Sequence, residues 1–173
     1  MGKSCLDLGS STGGFTDCLL QHWAAHVTAV DVGRGQLAWS LRQDPRVEVR
    51  EGINARYLAA SDFDRKFDLI VGDLSFISLT KILPAAFELL DPEGIMIVLI
   101  KPQFELAPAD VGKGGIVRDT TARLRAVDSI RNWVTGAGHR FDAFIESPLP
   151  GTTGNIEYLA LLRRGESTAP LPA

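Results

Sequence analysis

Residues Cys5–Asp17, with the sequence CLDLGSSTGGFTD, begin as a short apolar run that ends in Asp7-Leu8-Gly9 and continue as a loop of glycine and serine. A second apolar run, His26–Asp31 (HVTAVD), also ends in an acidic residue. Glycine lets a backbone approach a ligand where a Cβ atom would clash, and a carboxylate after the second strand can accept hydrogen bonds from ribose hydroxyls. The pattern predicts a strand–loop–helix–strand unit that binds an adenosine-type cofactor.

The rest of the chain alternates between strand and helix patterns, which predicts an α/β fold. The predicted strands lie near residues 4–8, 26–31, 46–50, 67–72, 95–100, 140–146 and 157–163, and the predicted helices near 13–22, 35–42, 79–90 and 120–136. Asp91–Gly94 is predicted to be a turn, and residues 102–118 a long irregular segment. Residues 95–100 are apolar on both faces, as in a central parallel strand. We therefore expect a seven-stranded, mostly parallel sheet with helices on both faces.

Size and charge limit the possible functions. The chain has 173 residues, 45% of them hydrophobic, which fits one globular domain, assigned to residues 1–165, with a disordered tail at 166–173. The net charge of −3 provides no global attraction to RNA or to a membrane surface, so an RNA contact would need a local basic patch. No apolar run approaches the ~20 residues of a membrane span, and the N-terminus shows no secretory signal. We therefore expect a cytoplasmic protein.

The cysteines and histidines give no sign of a disulfide framework or a metal centre. Cys5 and Cys18 lie among apolar neighbours and are predicted to be buried, reduced thiols. His22, His26 and His139 lack metal-ligand spacing with one another and with the cysteines. We expect no metal site.

The first loop distinguishes between cofactor classes. A dinucleotide-binding loop prefers Gly-x-Gly-x-x-Gly, but Ser11 occupies the middle glycine position here. Asp7, ahead of the loop, would repel a pyrophosphate and would suit a cationic ligand. S-adenosylmethionine carries a sulfonium and an α-amino group, so the charges favour it over a nicotinamide dinucleotide. The alternative interpretation of the segment is an ordinary strand-to-helix turn.

Charged residues end several of the predicted strands, namely Asp7, Asp31, Asp73 and Lys101. Ligands of open α/β sheets bind beyond the carboxyl ends of the strands, so we expect these residues to converge on one crevice. Asn54 follows the third strand. Its amide could contact the edge of an adenine, or it could cap a turn.

Asp73 and Lys101 end neighbouring strands and have two interpretations. They could form a structural salt bridge, or they could form a catalytic pair. In the second case the lysine removes the tightly held proton of a ribose hydroxyl and the carboxylate orients the lysine. Glu157 opens an apolar strand, where it is either a solvated edge residue or a third member of the site.

The segment 102–118 mixes basic, aromatic and flexible residues beside the expected crevice. Lys113 and Arg118 could contact RNA, with Phe104 as a stacking face. The alternative is a solvated flexible loop in which Asp119 caps the following helix.

Several motifs resemble, in order along the chain, those of the FtsJ-like ribose methyltransferases, and they are most similar to the TlyA branch, often labelled haemolysin. The motifs are Cys5–Asp17, Ala29–Leu37 (AVDVGRGQL), Asn54–Arg56 (NAR), Asp73–Leu79 (DLSFISL), Lys101–Glu105 (KPQFE) and Val111–Gly115 (VGKGG). The resemblance implies a Rossmann-like, class I S-adenosylmethionine-dependent methyltransferase that modifies ribose 2′-hydroxyls of ribosomal RNA, with that RNA or ribosomal subunits as partner. Together with the loop pattern, it implies a cofactor site of Asp7, Gly9, Ser11, Thr12, Gly13, Gly14, Phe15, Asp31, Val32, Asn54, Ala55 and Asp73.

The family also carries a Lys-Asp-Lys-Glu tetrad, and Asp73, Lys101 and Glu157 match its last three members. The resemblance implies that Lys101 deprotonates the hydroxyl while the two acids place it. The first lysine of the tetrad lies upstream of the first strand, and Lys3 is too close to that strand to be its obvious equivalent. We expect the N-terminal S4-like RNA-binding domain of the TlyA branch to be missing from this chain.

Three alternatives remain open at the level of the sequence. The first is a methyltransferase-fold module that binds cofactor or RNA without turnover. The second is a membrane-active haemolysin, although the sequence shows no membrane-inserting helix and no amphipathic basic segment. The third is a nicotinamide-dependent oxidoreductase, which Ser11 and Asp7 disfavour.

Overall fold

The computed structural model describes residues 2–22, 24–151 and 154–165, and within them it contains one seven-stranded sheet. The strands are β1 (Ser4–Leu8), β2 (His26–Asp31), β3 (Val47–Glu51), β4 (Phe67–Gly72), β5 (Leu90–Ile100), β6 (Arg140–Glu146) and β7 (Tyr158–Arg163). Their order across the sheet is β3-β2-β1-β4-β5-β7-β6. The first five strands are parallel, and β7 runs antiparallel to both β5 and β6. The predicted sheet is confirmed, whereas the predicted disorder of 166–173 concerns residues outside the described ranges.

The helices cover both faces of the sheet. They are α1 (Gly14–Gln21), α2 (Trp39–Arg42), α3 (Leu83–Leu89), α4 (Pro102–Glu105) and α5 (Thr120–Gly136), and 3₁₀ turns lie at Ala55–Tyr57, Ala60–Asp62, Leu79–Lys81 and Pro108–Asp110. Successive residues of a strand point to opposite faces. Accordingly, Leu6 packs in an apolar cluster with α3 and α5, while Cys5 packs in a second cluster with α1 and Leu41 of α2. None of the helices within the described ranges has the length and apolar character that a membrane span requires.

Helix α2 is shorter than the predicted 35–42, since it covers only Trp39–Arg42. Gly35 has a φ of +71°, which lies in the left-handed region and is incompatible with a right-handed helix. Its N–H donates to the carboxylate of Glu51 at 2.9 Å, so the segment before α2 is a turn held against β3. The helical periodicity of the sequence did not reveal this turn.

The predicted turn at Asp91–Gly94 lies inside β5, which begins at Leu90 and not at residue 95. The pairing with β4 shifts here, because Phe67 pairs with Leu90 while Leu69 pairs with Ile95. The segment is therefore a bulge, in which extra residues of one strand face a single residue of its neighbour. The predicted irregular segment 102–118 is also partly ordered, since it contains α4 and the 3₁₀ turn at Pro108–Asp110.

The two cysteines differ in environment, which corrects one expectation. Cys5 is buried, and burial raises the pKa of its thiol to about 11. Cys18 is exposed, contrary to the prediction from its apolar neighbours. The polar Thr16 takes an inward position on α1 instead, because its hydroxyl donates a hydrogen bond to the Asp7 carboxylate, with 2.7 Å between the two oxygen atoms.

Candidate functional site

A cleft of about 450 Å³ lies beyond the carboxyl ends of β1 to β4, within the range of small-molecule sites. It is lined by Gly9, Ser11, Val30, Asp31, Val32, Gln36, Ile53, Asn54, Ala55, Leu74, Ser75, Phe76, Ile77 and Ile82. Among these described lining residues Asp31 is the only charged one, and most of the others are apolar. The cleft therefore suits a flat apolar group together with a polar or positively charged group.

The loop between β1 and α1 requires glycine at two positions. Gly9 has a φ of +80°, and a Cβ atom there would lie 2.4 Å from the carbonyl oxygen of Asp73. Gly13 has a φ of +103°, and a Cβ atom there would lie 2.2 Å from Leu41. Gly14 differs, because a Cβ atom there would meet no atom within 4 Å. The first two glycines therefore allow the loop to pack against the end of β4 and against α2.

Asp31 links two of the loops that line the cleft. Its carboxylate accepts the N–H of Ser11 at 2.8 Å and the N–H of Gly33 at 2.7 Å. An ionised carboxylate has about four acceptor positions. Asp31 therefore retains the capacity to accept hydroxyl groups of a ligand while it holds the loops in place.

Asp7 lies behind the cleft wall and is completely buried. One of its oxygens accepts the Thr16 hydroxyl, and the other has no hydrogen-bond partner among the described residues. Burial raises the pKa of Asp7 to about 6, the Thr16 hydrogen bonds oppose the rise, and the charges of Asp73 and Asp31 add to it. Asp7 does not form part of the cleft lining. It can therefore influence a ligand only through its charge and by holding α1 in place through Thr16.

Asn54 combines both roles that the sequence left open. It lines the cleft, and its side-chain oxygen accepts the N–H of Arg56, which caps the 3₁₀ turn Ala55–Tyr57. The capping interpretation is therefore confirmed. No hydrogen bond from the side-chain nitrogen to another described residue is present, so this donor is available to a ligand.

The structure brings together half of the predicted cofactor residues in the lining of the cleft. These are Gly9, Ser11, Asp31, Val32, Asn54 and Ala55. The others lie around it, in the β1–α1 loop (Thr12, Gly13), in α1 (Gly14, Phe15), behind the wall (Asp7) or at its edge (Asp73). Sequence reasoning did not select the lining residues Val30, Gln36, Ile53, Leu74, Ser75, Phe76, Ile77 and Ile82. Val30 lies in β2 itself, and the others lie in the segments that follow β2, β3 and β4, which was the available signal.

Lys101 and Asp73 are in direct contact. The Lys101 Nζ lies 2.6 Å from a carboxylate oxygen of Asp73 and donates to the hydroxyl of Ser75 at 3.0 Å. The lysine side chain is 12% exposed, whereas that of Asp73 is 44% exposed. Since Ser75 lines the cleft, the amine lies next to the space where a ligand would bind. This geometry is that of an ion pair, and it fits both of the roles predicted for the pair.

Glu157 is 4% exposed, so the interpretation as a solvated edge residue is wrong. It immediately precedes β7, where Tyr158 pairs with Ile100 in an antiparallel register. The next positions along the two strands are Glu157 and Lys101, which places both at the same edge of the sheet. The Gln103 side-chain nitrogen donates to the Glu157 carboxylate at 3.0 Å.

Lys3 lies at the opposite end of β1, where its Nζ is 3.1 Å from Asp68. The distance of Lys3 from the cleft agrees with its exclusion from the predicted tetrad. In the parts of the chain that the structure describes, no group of three His, Cys, Asp or Glu side chains has metal-binding geometry.

Lys113 and Arg118 are both exposed on the segment after β5. Lys113 lies in a turn in which Gly115 N–H donates to the Gly112 carbonyl. Asp119 caps α5 by accepting from two backbone N–H groups, as the alternative interpretation predicted. The cap at the helix start is compatible with an RNA contact by the two exposed cations.

The exposed aromatic ring beside the cleft is Phe76 and not Phe104. Phe76 is 91% exposed, whereas Phe104 is partly buried beside it, with ring centroids 5.2 Å apart. Phe76 also has a φ of +63°, which is rare for a residue other than glycine. Such a conformation persists only where the surroundings enforce it, and it is often associated with function.

Comparisons with known proteins are consistent with this geometry. The family model of the FtsJ-like methyltransferases matches residues 1–164. The chain is 49% identical over 162 residues to the 16S/23S rRNA (cytidine-2′-O)-methyltransferase TlyA of Mycobacterium tuberculosis, covering 94% of this chain and 60% of that protein. It is 46% identical to Hemolysin A of Brachyspira hyodysenteriae, covering 91% of this chain and 66% of that protein.

Solved structures show the same fold. A protein from Streptococcus thermophilus with a provisional hemolysin name superposes with a TM-score of 0.92 at 41% identity, covering 95% of this chain and 60% of that one. An S-adenosylmethionine-dependent methyltransferase from Methanosarcina mazei gives a TM-score of 0.67 at 15% identity, covering 96% and 94% of the two chains, which supports the fold alone. The chain spans about 60% of the length of its Mycobacterium relative. It belongs to the family of FtsJ-like methyltransferases and has the class I Rossmann-like fold of S-adenosylmethionine-dependent methyltransferases.

Proposed function

We propose that this chain is the catalytic domain of a cytoplasmic methyltransferase that transfers a methyl group from S-adenosylmethionine to ribose 2′-hydroxyls of ribosomal RNA. The observation that carries the proposal is the Lys101 amine, which is paired with Asp73 and hydrogen-bonded to Ser75 at the wall of the cleft. The similarity to the rRNA methyltransferase of Mycobacterium tuberculosis supports the choice of substrate.

The described residues of the cleft fit S-adenosylmethionine. Among the described lining residues the only charge is the negative one of Asp31, so a cationic ligand is favoured and a pyrophosphate would meet no basic side chain of this lining. Asp31 would accept hydrogen bonds from ribose hydroxyls, and Asn54 would donate to the adenine edge. Ile53 and Ile82 offer apolar surface to the adenine ring. When bound, the cofactor supplies an electrophilic methyl group.

Lys101 is the residue that we propose removes the proton of the 2′-hydroxyl. A ribose hydroxyl is a weak nucleophile until its proton is accepted, so the Lys101 amine accelerates the transfer once its ammonium form has released a proton to solvent. Asp73 stabilises the ammonium group that forms, because its carboxylate oxygen lies 2.6 Å from Nζ. Ser75 fixes the direction of the amine from the other side. Glu157, held by Gln103, adds negative charge at the same edge of the sheet.

Five exposed basic residues surround the cleft and support an RNA substrate. They are Arg34, Arg56, Lys81, Lys113 and Arg118, on the segments that follow β2, β3, β4 and β5. None of them forms a salt bridge within the described residues, although many basic residues elsewhere do, such as Arg46 with Asp44 and Arg65 with Asp64. Phosphate groups can take the place of the missing acids.

Phe76 supports recognition of an unpaired nucleotide. RNA is usually read where its bases are unstacked, and exposed aromatic rings provide stacking surfaces for such bases. Phe76 is 91% exposed and lines the cleft, one residue after Ser75. A base stacked on it would have its ribose close to the Lys101 amine.

Transfer of a labelled methyl group from S-adenosylmethionine to purified ribosomal RNA and to ribosomal subunits tests the proposal. The assay uses this chain and, in parallel, the chain joined to the N-terminal part of its Mycobacterium relative. We expect ribose 2′-O-methylation that Lys101→Ala abolishes while cofactor affinity stays near the wild-type value. Lys66→Ala is the matched control, because Lys66 is an exposed lysine that precedes β4, at the far end of the sheet from the cleft.

Two results would contradict the proposal. Cofactor binding without methylation by either protein would favour the alternative of a binding module without turnover. A large loss of cofactor affinity in Lys101→Ala would show that the ion pair with Asp73 is structural.

A further inference from the structure

The segment between β4 and the 3₁₀ turn Leu79–Lys81 forms part of the wall of the cleft. We define the arch as residues 74–78, of which Leu74, Ser75, Phe76 and Ile77 line the cleft. Phe76, in the middle of the arch, has a φ of +63° and is 91% exposed. An exposed aromatic side chain in this strained conformation gains little from burial, so other contacts must hold the arch.

The near end of the arch is fixed by Lys101. Its Nζ contacts the carboxylate of Asp73 at 2.6 Å and the hydroxyl of Ser75 at 3.0 Å. This contact belongs to the site described above, and it restrains only the residues before Phe76.

The far end of the arch is fixed by Glu105, which the proposed mechanism does not use. One carboxylate oxygen accepts the Ser78 hydroxyl at 2.6 Å, and the other accepts the Leu79 N–H at 2.8 Å. The Ser78 hydroxyl oxygen in turn accepts the N–H of Thr80. Hydrogen bonds to an ionised carboxylate are stronger than bonds between neutral groups, so this end is firmly held.

Helix α4 connects the two fixed ends. Lys101 is its N-cap and Glu105 its last residue, so the two side chains are separated by one helical turn. Between them, Phe104 contacts Phe76 with ring centroids 5.2 Å apart. The order of the contacts along α4 therefore matches their order along the arch.

The environment of Glu105 indicates that it serves the arch and not an ion pair. No basic side chain within the described residues lies within salt-bridge distance of it, and its side chain is partly buried. Burial raises the pKa of Glu105 above its ordinary value, and the hydrogen bonds from Leu79 and Ser78 partly offset this rise. Burying a carboxylate without a cation costs free energy. The hydrogen bonds from Ser78 and Leu79 offset this cost, so they tie Glu105 to the far end of the arch.

We propose that Glu105 is a positioning residue for methyl transfer, which holds the far end of the arch and so sets the position of Phe76 relative to the Lys101 amine. The inference rests on the proposed function, because Phe76 is taken to stack on a base of the RNA. Glu105 itself touches neither the cofactor nor the ribose. Its loss is expected to leave the cofactor in place and to impair the alignment of the target ribose.

The test combines amide hydrogen exchange with kinetics of Glu105→Ala, Glu105→Gln and Ser78→Ala. In Glu105→Ala we expect the amides of Leu79 and Thr80 to exchange at least tenfold faster, while the Ser11 amide, bonded to Asp31, stays unchanged. We expect kcat to fall at least tenfold with a change in cofactor affinity below threefold. Glu105→Gln keeps an acceptor for the Leu79 N–H and should restore most of both properties. Ser78→Ala should show a smaller loss of the same kind.

Glu93→Ala is the control, because Glu93 is an exposed acid in the bulge of β5, far from the cleft. Unchanged exchange at Leu79 in Glu105→Ala would overturn the proposal, and so would faster exchange with a wild-type kcat. Faster exchange at Ser11 as well, with an equal defect in Glu105→Gln, would show a general structural role instead. A wild type without any turnover, both alone and joined to the N-terminal part of the Mycobacterium relative, would overturn the proposed function, and the exchange at Leu79 would then still decide whether Glu105 holds the arch.

Discussion

At the scale of single residues, Asp31 uses one carboxylate both to build the cleft and to face its ligand. It accepts the N–H groups of Ser11 and Gly33, and it also lines the cleft. We expect Asp31→Ala to weaken S-adenosylmethionine binding by about 1–3 kcal/mol, because ribose hydroxyls would lose their acceptor and the loops their link. Calorimetric titration measures this loss, with Asp128→Ala as a control on the exposed side of α5. Unchanged affinity would remove Asp31 from the site.

Asp7 is a residue whose charge costs stability. Burial raises its pKa to about 6 from an ordinary 3.8. A raised folded-state pKa means that the folded protein binds the proton more tightly, so this stabilising contribution is complete below about pH 4 and is lost as the pH rises through about 6. The rise of about two pKa units corresponds to about 3 kcal/mol of folding stability, which is present below about pH 4 and has been lost above about pH 6.

Asp7→Asn mimics the protonated carboxyl and should therefore stabilise the protein. We expect the free energy of unfolding to increase by about 1–3 kcal/mol at pH 8, with a gain that shrinks as the pH falls towards 4. Urea denaturation at several pH values measures the difference. A variant that is less stable than the wild type at pH 8, or a gain independent of pH, would contradict the assignment.

At the scale of elements, the β1–α1 loop offers a matched pair of glycines. Gly9→Ala would place a Cβ atom 2.4 Å from the Asp73 carbonyl at a φ of +80°, whereas the same change at Gly14 meets no atom within 4 Å. We expect Gly9→Ala to lower the free energy of unfolding by about 1–3 kcal/mol or more and to weaken cofactor binding. Gly14→Ala should be neutral or slightly stabilising at the start of α1. Thermal unfolding and titration of both variants check this, and equal behaviour of the two would refute the close packing of the loop on β4.

Much of the architecture could be predicted from the sequence, because strands covered on both faces are apolar runs that end in polar residues. This rule located Asp31, Asp73 and Lys101 at the edge of the sheet. It could not locate the arch, because the far end of the arch is bonded to Glu105, a residue distant in sequence. The helical pattern of the sequence predicted too long an α2, because it does not reveal the turn that Gly35 and Glu51 form.

At the scale of the whole molecule, the direction of one strand completes the candidate site. Because β7 runs antiparallel to β5, the start of β7 lies at the same edge as the ends of the parallel strands. Glu157 is therefore buried at the edge that also carries Lys101 and Asp73, although it is distant in sequence. The same edge carries the five exposed basic residues Arg34, Arg56, Lys81, Lys113 and Arg118, which we call the basic rim. It is a local concentration of positive charge on a chain whose net charge is −3.

The basic rim predicts how RNA binding responds to salt. Each phosphate neutralised on single-stranded RNA releases counterions, which contributes about −0.7 to the slope of log K against log salt. We expect Lys113→Gln and Arg118→Gln each to weaken binding and to make the slope less negative by about 0.7 for every phosphate that is no longer neutralised. Arg65→Gln is the control, because Arg65 is paired with Asp64 and lies before β4, at the far end of the sheet. Fluorescence anisotropy of a labelled ribosomal RNA fragment at several salt concentrations measures the slopes. If both variants kept the wild-type slope while Arg65→Gln changed it, the RNA would bind at the opposite end of the sheet and the proposed interface would be wrong.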